Sequence, residues 1–311
     1  MEHFVTLFDS YFLPQGLSLY ASLSKQNTPF CLWVICMDQA VESSLEKLSL
    51  PYLKLIPLSA VENLYPELRE TKADRSKAEY CWTLTPFTFS TVFQLDASVS
   101  RVTYVDADVY LFGSPLSLLQ ELDHAKKSAL ITDHAYAPNL HQESTAGKFC
   151  VQFLTICKTS VGLEIMKWWQ DRCIEWCYAR YEDGKFGDQK YLEAWPILWP
   201  DDVHVLNNHS LTLAPWNVEY LLPPGSQPIG IYHFHGLRLF SKKIRLWSEY
   251  RLSRSTKPRI YNAYTSELQS AINLLSKNGL EVQLPPPPSR IPKSKADLLR
   301  LYRRTECWSS F

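Results

Sequence analysis

Six short apolar runs, at 4–8, 30–37, 52–56, 102–105, 128–132 and 149–156, constrain this chain more than any other feature. Each has strand length and reads as buried, and helical patterns lie between several of them. Pro14 opens one such helix, in which Leu17, Tyr20 and Leu23 follow a three-residue step. A βαβα order of buried strands predicts an α/β fold, a mainly parallel sheet flanked by helices.

In such sheets ligands bind beyond the carboxyl ends of the strands. "RVTYVDADVYLFGSP", residues 101–115, puts two carboxylates at such an end, with Gly113 and Pro115 following as breakers. Side chains on a strand alternate, so Asp106 and Asp108 point the same way and repel unless a cation joins them. Carboxylate oxygens there suit Mg²⁺ or Mn²⁺ facing an incoming phosphate. A strand-end turn with solvated aspartates is the bland alternative.

"GIYHFHGLRLF", residues 230–240, offers nitrogen ligands: His233 and His235 share one strand face, and Gly236 lets the backbone approach a ligand. Imidazole beside carboxylates favours Mn²⁺ over Ca²⁺, although either histidine would also serve as a satisfied core residue. "DGKFGDQKYLEAWP", residues 183–196, turns on glycines into a short helix with Asp188 and Gln189 at its start. A plain N-cap is the competing role for Asp188. Trp195 and Trp199 fit either a core or a sugar-stacking wall.

Other classes are disfavoured. Lysine plus arginine equal aspartate plus glutamate at 32 each, which leaves no bulk electrostatic case for nucleic acid. The eight cysteines form no C-x-x-C pair, so neither a zinc ribbon nor a redox motif is indicated. Residues 158–181 read as one long amphipathic helix, with Cys173 and Cys177 on one face as core residues. "FCLWVICM" is too short to span a bilayer, and no signal-like segment precedes the first strand. The expected setting is soluble, reducing and cytoplasmic.

Four stretches, "FVTLFDSYFLPQGLSLYASL", "VTYVDADVYLFGSP", "FGDQKYLEAWP" and "HFHG", stand in the order and approximate spacing of retaining GT-A glycosyltransferases. Over about residues 3–240 the chain resembles that family, which includes glycogenin and the lipopolysaccharide galactosyltransferases. The resemblance implies a Rossmann-like nucleotide-sugar fold. Asp106, Asp108 and His233 match its metal ligands, with His235 as the alternative histidine. Thr6 and Asp9 match residues that meet uracil, Asp188 the one that holds donor sugar hydroxyls, and Gln189 the one beneath the anomeric carbon. Ala107 and Gly236 join the donor-binding set by their place in the motifs.

The departures are specific. Leu239 stands at the motif lysine, leaving Arg238 or Lys242 to meet the β-phosphate; Trp82 stands at an arginine, leaving Arg75 or Lys77; Cys150 stands at an asparagine. The implied activity is metal-dependent, hexosyltransferase-like transfer from a nucleotide sugar, a UDP-sugar, to a hydroxyl with retention, using Mn²⁺ or Mg²⁺. A carbohydrate or lipid-linked acceptor would sit near Asp133, His134 and 136–150. The alternatives are a non-catalytic nucleotide-sugar-binding scaffold and a haloacid-dehalogenase-type phosphatase, whose D-x-D-x-[TV] "YVDADVYLF" also fits.

The expected organisation is a catalytic domain at 1–240, a helical extension and proline-rich linker at 241–288, and a basic, aromatic tail at 289–311. In the tail Arg290, Lys293, Lys295, Arg300, Arg303 and Arg304 flank Leu298, Leu301 and Tyr302, the pattern of a helix lying on an anionic membrane surface. A docked C-terminal helix is the alternative.

Overall fold

The computed structural model describes residues 1–240, 243–247, 250, 252–284 and 305–310. In chain order the strands are β1 (Glu2–Phe8), β2 (Phe30–Cys36), β3 (Leu53–Pro57), β4 (Arg101–Val105), β5 (Val109–Leu111), β6 (Ala129–Asp133) and β7 (Phe149–Cys157). There follow β8 (Val203–Val205), β9 (Thr212–Leu213), β10 (Ile231–His233), β11 (Leu237–Phe240), β12 (Lys243–Trp247) and β13 (Thr305–Ser310). Each of the six apolar runs became a strand of the central sheet, whose order is β3-β2-β1-β4-β7-β6-β8.

Four neighbouring pairs are parallel, and β7 alone runs antiparallel, to both β4 and β6. Parallel neighbours need crossovers: helices Leu13–Ser24, Gln39–Leu48 and Lys77–Leu95 lie in those of β1–β2, β2–β3 and β1–β4, and helix Ser160–Glu175 lies between β6 and β8. Alternation along β1 divides the core. Val5 and Leu7 pack with Phe87, Phe89 and Trp169 on one face, while Phe4 and Phe8 pack with Leu17, Leu19 and Leu118 on the other.

The long helix expected at 158–181 is shorter, Ser160–Glu175. Arg75, buried beside its end, donates to the Cys173 and Ile174 carbonyls, so the last turn is satisfied without further helix. Cys173 and Cys177 are buried in the same core, and they, Cys31, Cys36, Cys81, Cys150 and Cys157 are all free. Trp195 is fully buried and Trp199 packs against that core, which settles both as packing residues.

Two small sheets, β5-β10-β9 and β11-β12-β13, lie outside the central one. Helix Asn262–Lys277 returns across helix Leu13–Ser24, where Ala271 and Leu275 join the core of Leu17 and Leu19. Within the tail, Thr305–Ser310 is a strand paired antiparallel with β12 and not part of a helix. The amphipathic pattern at 298–302, the basic residues from Arg290 to Arg304, and Lys242 lie outside the described residues. No helix of the described residues is long and apolar enough to cross a membrane.

Candidate active site

The site begins where β4 stops. Strand geometry ends at Val105, and Asp106 to Asp108 form a turn closed by Val109 N–H donating to the Asp106 carbonyl at 3.0 Å. The two carboxylates therefore meet through a turn, not through strand alternation. From the other side β10 runs antiparallel to β5 with His233 opposite Val109, and Phe234 N–H donates to the Asp108 carbonyl at 2.8 Å.

These backbone links bring three side chains together: ligand atoms of Asp106, Asp108 and His233 all lie within 4.8 Å of one another. His233 Nε2 is 3.1 Å from Asp108 Oδ1 and 3.8 Å from Asp106 Oδ2. His235 lies outside this group. The expectation of one strand face for both histidines fails, because β10 ends at His233 and the chain turns through Gly236 at φ +78°.

The charges of this triad hold one another in place. Burial alone would disfavour every charge in it, yet the Asp108 and Asp106 carboxylates hold His233 well above the ordinary histidine range. Burial likewise opposes ionisation of Asp108, but His233 overrides it and keeps that carboxyl well below its usual value. Asp106 is raised, by burial first, with the Asp108 carboxylate adding and His233 opposing. Two carboxylate oxygens and one imidazole nitrogen facing a cleft fit a small divalent ion such as Mn²⁺ or Mg²⁺.

The cleft has a volume of about 630 Å³. Its wall takes Asp9 and Phe12 from the β1 loop, Lys77, Trp82 and Thr85 from helix Lys77–Leu95, and Asp106 to Asp108 from the turn. Segment 134–150 contributes His134, Tyr136, Gln142, Ala146 and Cys150, the 186–189 turn Asp188 and Gln189, strands β10 and β11 His233 and Arg238, and the non-strand segments near them Trp216, His235 and Tyr250.

Most of the residues singled out from sequence converge there. Asp9 Oδ1 accepts from the Tyr11 and Phe12 amides, and its Oδ2 pairs with Lys77 at 2.7 Å. Arg238 lies 3.7 Å from Asp108 Oδ2 and over the Phe12 ring at 5.0 Å. Asp188 is buried and makes no side-chain capping bond, so the N-cap reading is set aside. Burial, and then the Asp106 charge, push its carboxyl up to about 8. Gln189 Nε2 donates to the Ala146 carbonyl, which leaves Oε1 for another partner.

Three expected residues sit elsewhere. Thr6 is fully buried in β1 and forms no part of the cleft wall. Gly236 stands in the turn behind the wall, supplying its left-handed backbone. Arg75 is not available to a donor, since Thr83 and the two helix-end carbonyls occupy its guanidinium. Of Arg75 and Lys77, it is Lys77 that reaches the cleft.

Other contributors gave no motif. Tyr104 donates its hydroxyl to Asp106 Oδ1 at 2.9 Å, and Gln152 Oε1 lies 3.1 Å from His233 Nδ1. An amide in the otherwise largely apolar "FCVQFLTIC" was the available signal for Gln152. Ala135, at φ +47° and held by Asp133 Oδ1 at 2.7 Å, turns the chain between two wall residues, His134 and Tyr136. The rings of that pair stack at 4.7 Å, and Trp216 meets His134, Tyr136 and Tyr250 at 5.2, 6.0 and 5.9 Å.

No protein-family model matches the chain. Two Bacillus subtilis (strain 168) proteins, the uncharacterized YfnF and YfnD, are each 28% identical to it. The match covers 84% of this chain and 89% of YfnF, and 87% of this chain and 90% of YfnD. Among solved structures, the galactosyltransferase LgtC in complex with donor and acceptor sugar analogues superposes with a TM-score of 0.56 at 14% identity, covering 86% of this chain and 95% of that one. The glycosyltransferase GlyE of Streptococcus pneumoniae TIGR4 gives 0.52 at 15% identity, covering 94% of this chain and 68% of that one. The fold is that of the GT-A glycosyltransferases.

Proposed function

We propose that the chain is a metal-dependent glycosyltransferase that moves a sugar from a nucleoside diphosphate donor, a UDP-sugar, to a hydroxyl acceptor with retention. The observation that carries this reading is the Asp106, Asp108 and His233 triad in the wall of a cleft shared with Asp188 and Gln189. Those three side chains would hold Mn²⁺ or Mg²⁺. Bound there, such an ion supplies Lewis-acid stabilisation of the diphosphate leaving group.

The protein's own residues do the rest. Asp9, its oxygens oriented by two amides and Lys77, presents a fixed acceptor to the imino N–H of a uracil. Arg238 places a guanidinium beside the triad for the β-phosphate. Asp188, protonated below its raised value, offers both a donor and an acceptor to sugar hydroxyls. Gln189 Oε1 gives a weakly basic, non-protonating oxygen to an oxocarbenium-like centre. Burial pushes the Cys81 thiol up to about 12 and raises Cys150, so neither cleft cysteine is a thiolate nucleophile at neutral pH. With no cysteine nucleophile, same-face attack by the acceptor is the route to retention that this reading takes.

The aromatic group of Tyr136, Trp216 and Tyr250 suits a carbohydrate or lipid-linked acceptor. Contact of the tail with an anionic membrane belongs to the same proposal. The phosphatase alternative falls with the fold. The test is release of UDP from a panel of UDP-sugars by the full chain with Mn²⁺, with and without sugar acceptors. Turnover that is lost in EDTA and in Asp108→Ala is the expected result. Tight UDP binding with no turnover of any donor would select the non-catalytic reading instead.

A further inference from the structure

We infer that Gln152 is a positioning residue for the metal site, one that holds His233 as the Nδ1–H tautomer and ties that histidine to the aspartate turn. The inference rests on the metal reading proposed above.

Gln152 lies on β7, next to β4 in the central sheet, whereas His233 belongs to the small sheet of β5, β10 and β9. Its backbone carbonyl accepts from Asp106 N–H at 3.3 Å. Its side-chain Oε1 stands 3.1 Å from His233 Nδ1. One residue thus holds two of the three ligands, one through its main chain and one through its side chain, across the junction of two sheets.

The ring's other nitrogen faces Asp108 and Asp106 at 3.1 and 3.8 Å. A cation among those carboxylates needs the lone pair of Nε2, so the ring's remaining proton must sit on Nδ1 and requires an acceptor. Gln152 Oε1 is that acceptor. The cost is visible on the same side chain: with Oε1 so placed, Gln152 Nε2 is buried without a partner. An amide kept fully buried at that expense, between two ligand-bearing elements, is accounted for by what its oxygen does.

The test uses the full chain and Mn²⁺ alone, with free ion counted by electron paramagnetic resonance, so no turnover is needed. Gln152→Leu removes the acceptor at similar volume and should weaken Mn²⁺ binding about 10- to 100-fold. Gln152→Glu restores an acceptor for Nδ1–H and should bind within a few-fold of the parent, or more tightly. A role in packing alone would move both variants alike, so a Glu variant as weak as the Leu variant overturns the inference. So does a Leu variant that binds as the parent does. As a second measurement independent of any variant, imidazole ¹⁵N shifts of the parent loaded with Mg²⁺ should report protonated Nδ1 at His233; protonated Nε2 would overturn it. If the parent takes up no Mn²⁺, or Asp108→Ala takes up as much, the metal reading itself fails and this one with it, an outcome distinct from failure at Gln152 only.

Discussion

A carboxyl group as buried as Asp188, with the Asp106 charge nearby, keeps its proton at neutral pH, its value pushed from 3.8 up to about 8. In the unfolded chain it ionises near 3.8, so between those values the native state binds the extra proton. The sign follows: this contribution to stability is fully present below the unfolded value and is lost as pH rises through about 8. Asp188→Asn cannot ionise. Relative to that variant, the metal-free parent should lose stability from about pH 5 to pH 8 by up to about 1.4 kcal/mol per pH unit. Urea midpoints across that range provide the check, and parallel curves for the two proteins would mean that Asp188 is ionised throughout. Two other residues mark what sequence conveys at this scale. Arg75 and Lys77 are both cations near the start of one helix, and nothing local to either says which reaches the cleft. That was decided at a distance, by the carbonyls at the end of helix Ser160–Glu175, which draw Arg75 into the interior.

Elements were legible where periodicity is local and hidden where partners are remote. All six apolar runs formed strands because a buried strand needs only its own composition to be visible. The aspartate pair and the histidine pair read as strand residues, but Asp106 and Asp108 fall in the turn between β4 and β5, and of the histidines only His233 stays on a strand, β10, which pairs antiparallel with β5. Two glycines let that happen. A Cβ on Gly230 would lie 2.1 Å from the Leu211 carbonyl oxygen, and one on Gly113 would lie 1.9 Å from that of Ile229. Both contacts are with backbone, which cannot swing aside as a flexible side chain would. Gly230→Ala should therefore displace β10, and His233 with it, at a cost of about 1–3 kcal/mol in overpacking. The expected outcome is a lower melting temperature together with weakened Mn²⁺ uptake. Unchanged metal affinity in the folded variant would show that β10 does not set the ligand geometry.

At the scale of the molecule, the faces of the sheet were foreseeable, while the small sheets around the site were not, since β9 has only two residues and the partners of β10, β5 and β9, are remote from one another in sequence. The cleft draws its wall from the β1 loop, helix Lys77–Leu95, the aspartate turn, segment 134–150, the 186–189 turn, Trp216, β10 with the turn after it, β11 and Tyr250. These are remote in sequence, so the site exists only in the folded chain, and a ligand bound there must stabilise the whole. For a ligand at 100 times its Kd the stabilisation is about 2.7 kcal/mol. In a chain of this size that raises Tm by roughly 4 °C. Paired carboxylates repel a diphosphate unless a cation lies between, which makes the gain conditional. UDP with Mn²⁺ should produce it, UDP in EDTA should produce almost none, and Asp108→Ala should stay flat under both conditions. An equal rise with UDP in EDTA would place the nucleotide away from the triad and remove the metal from donor binding.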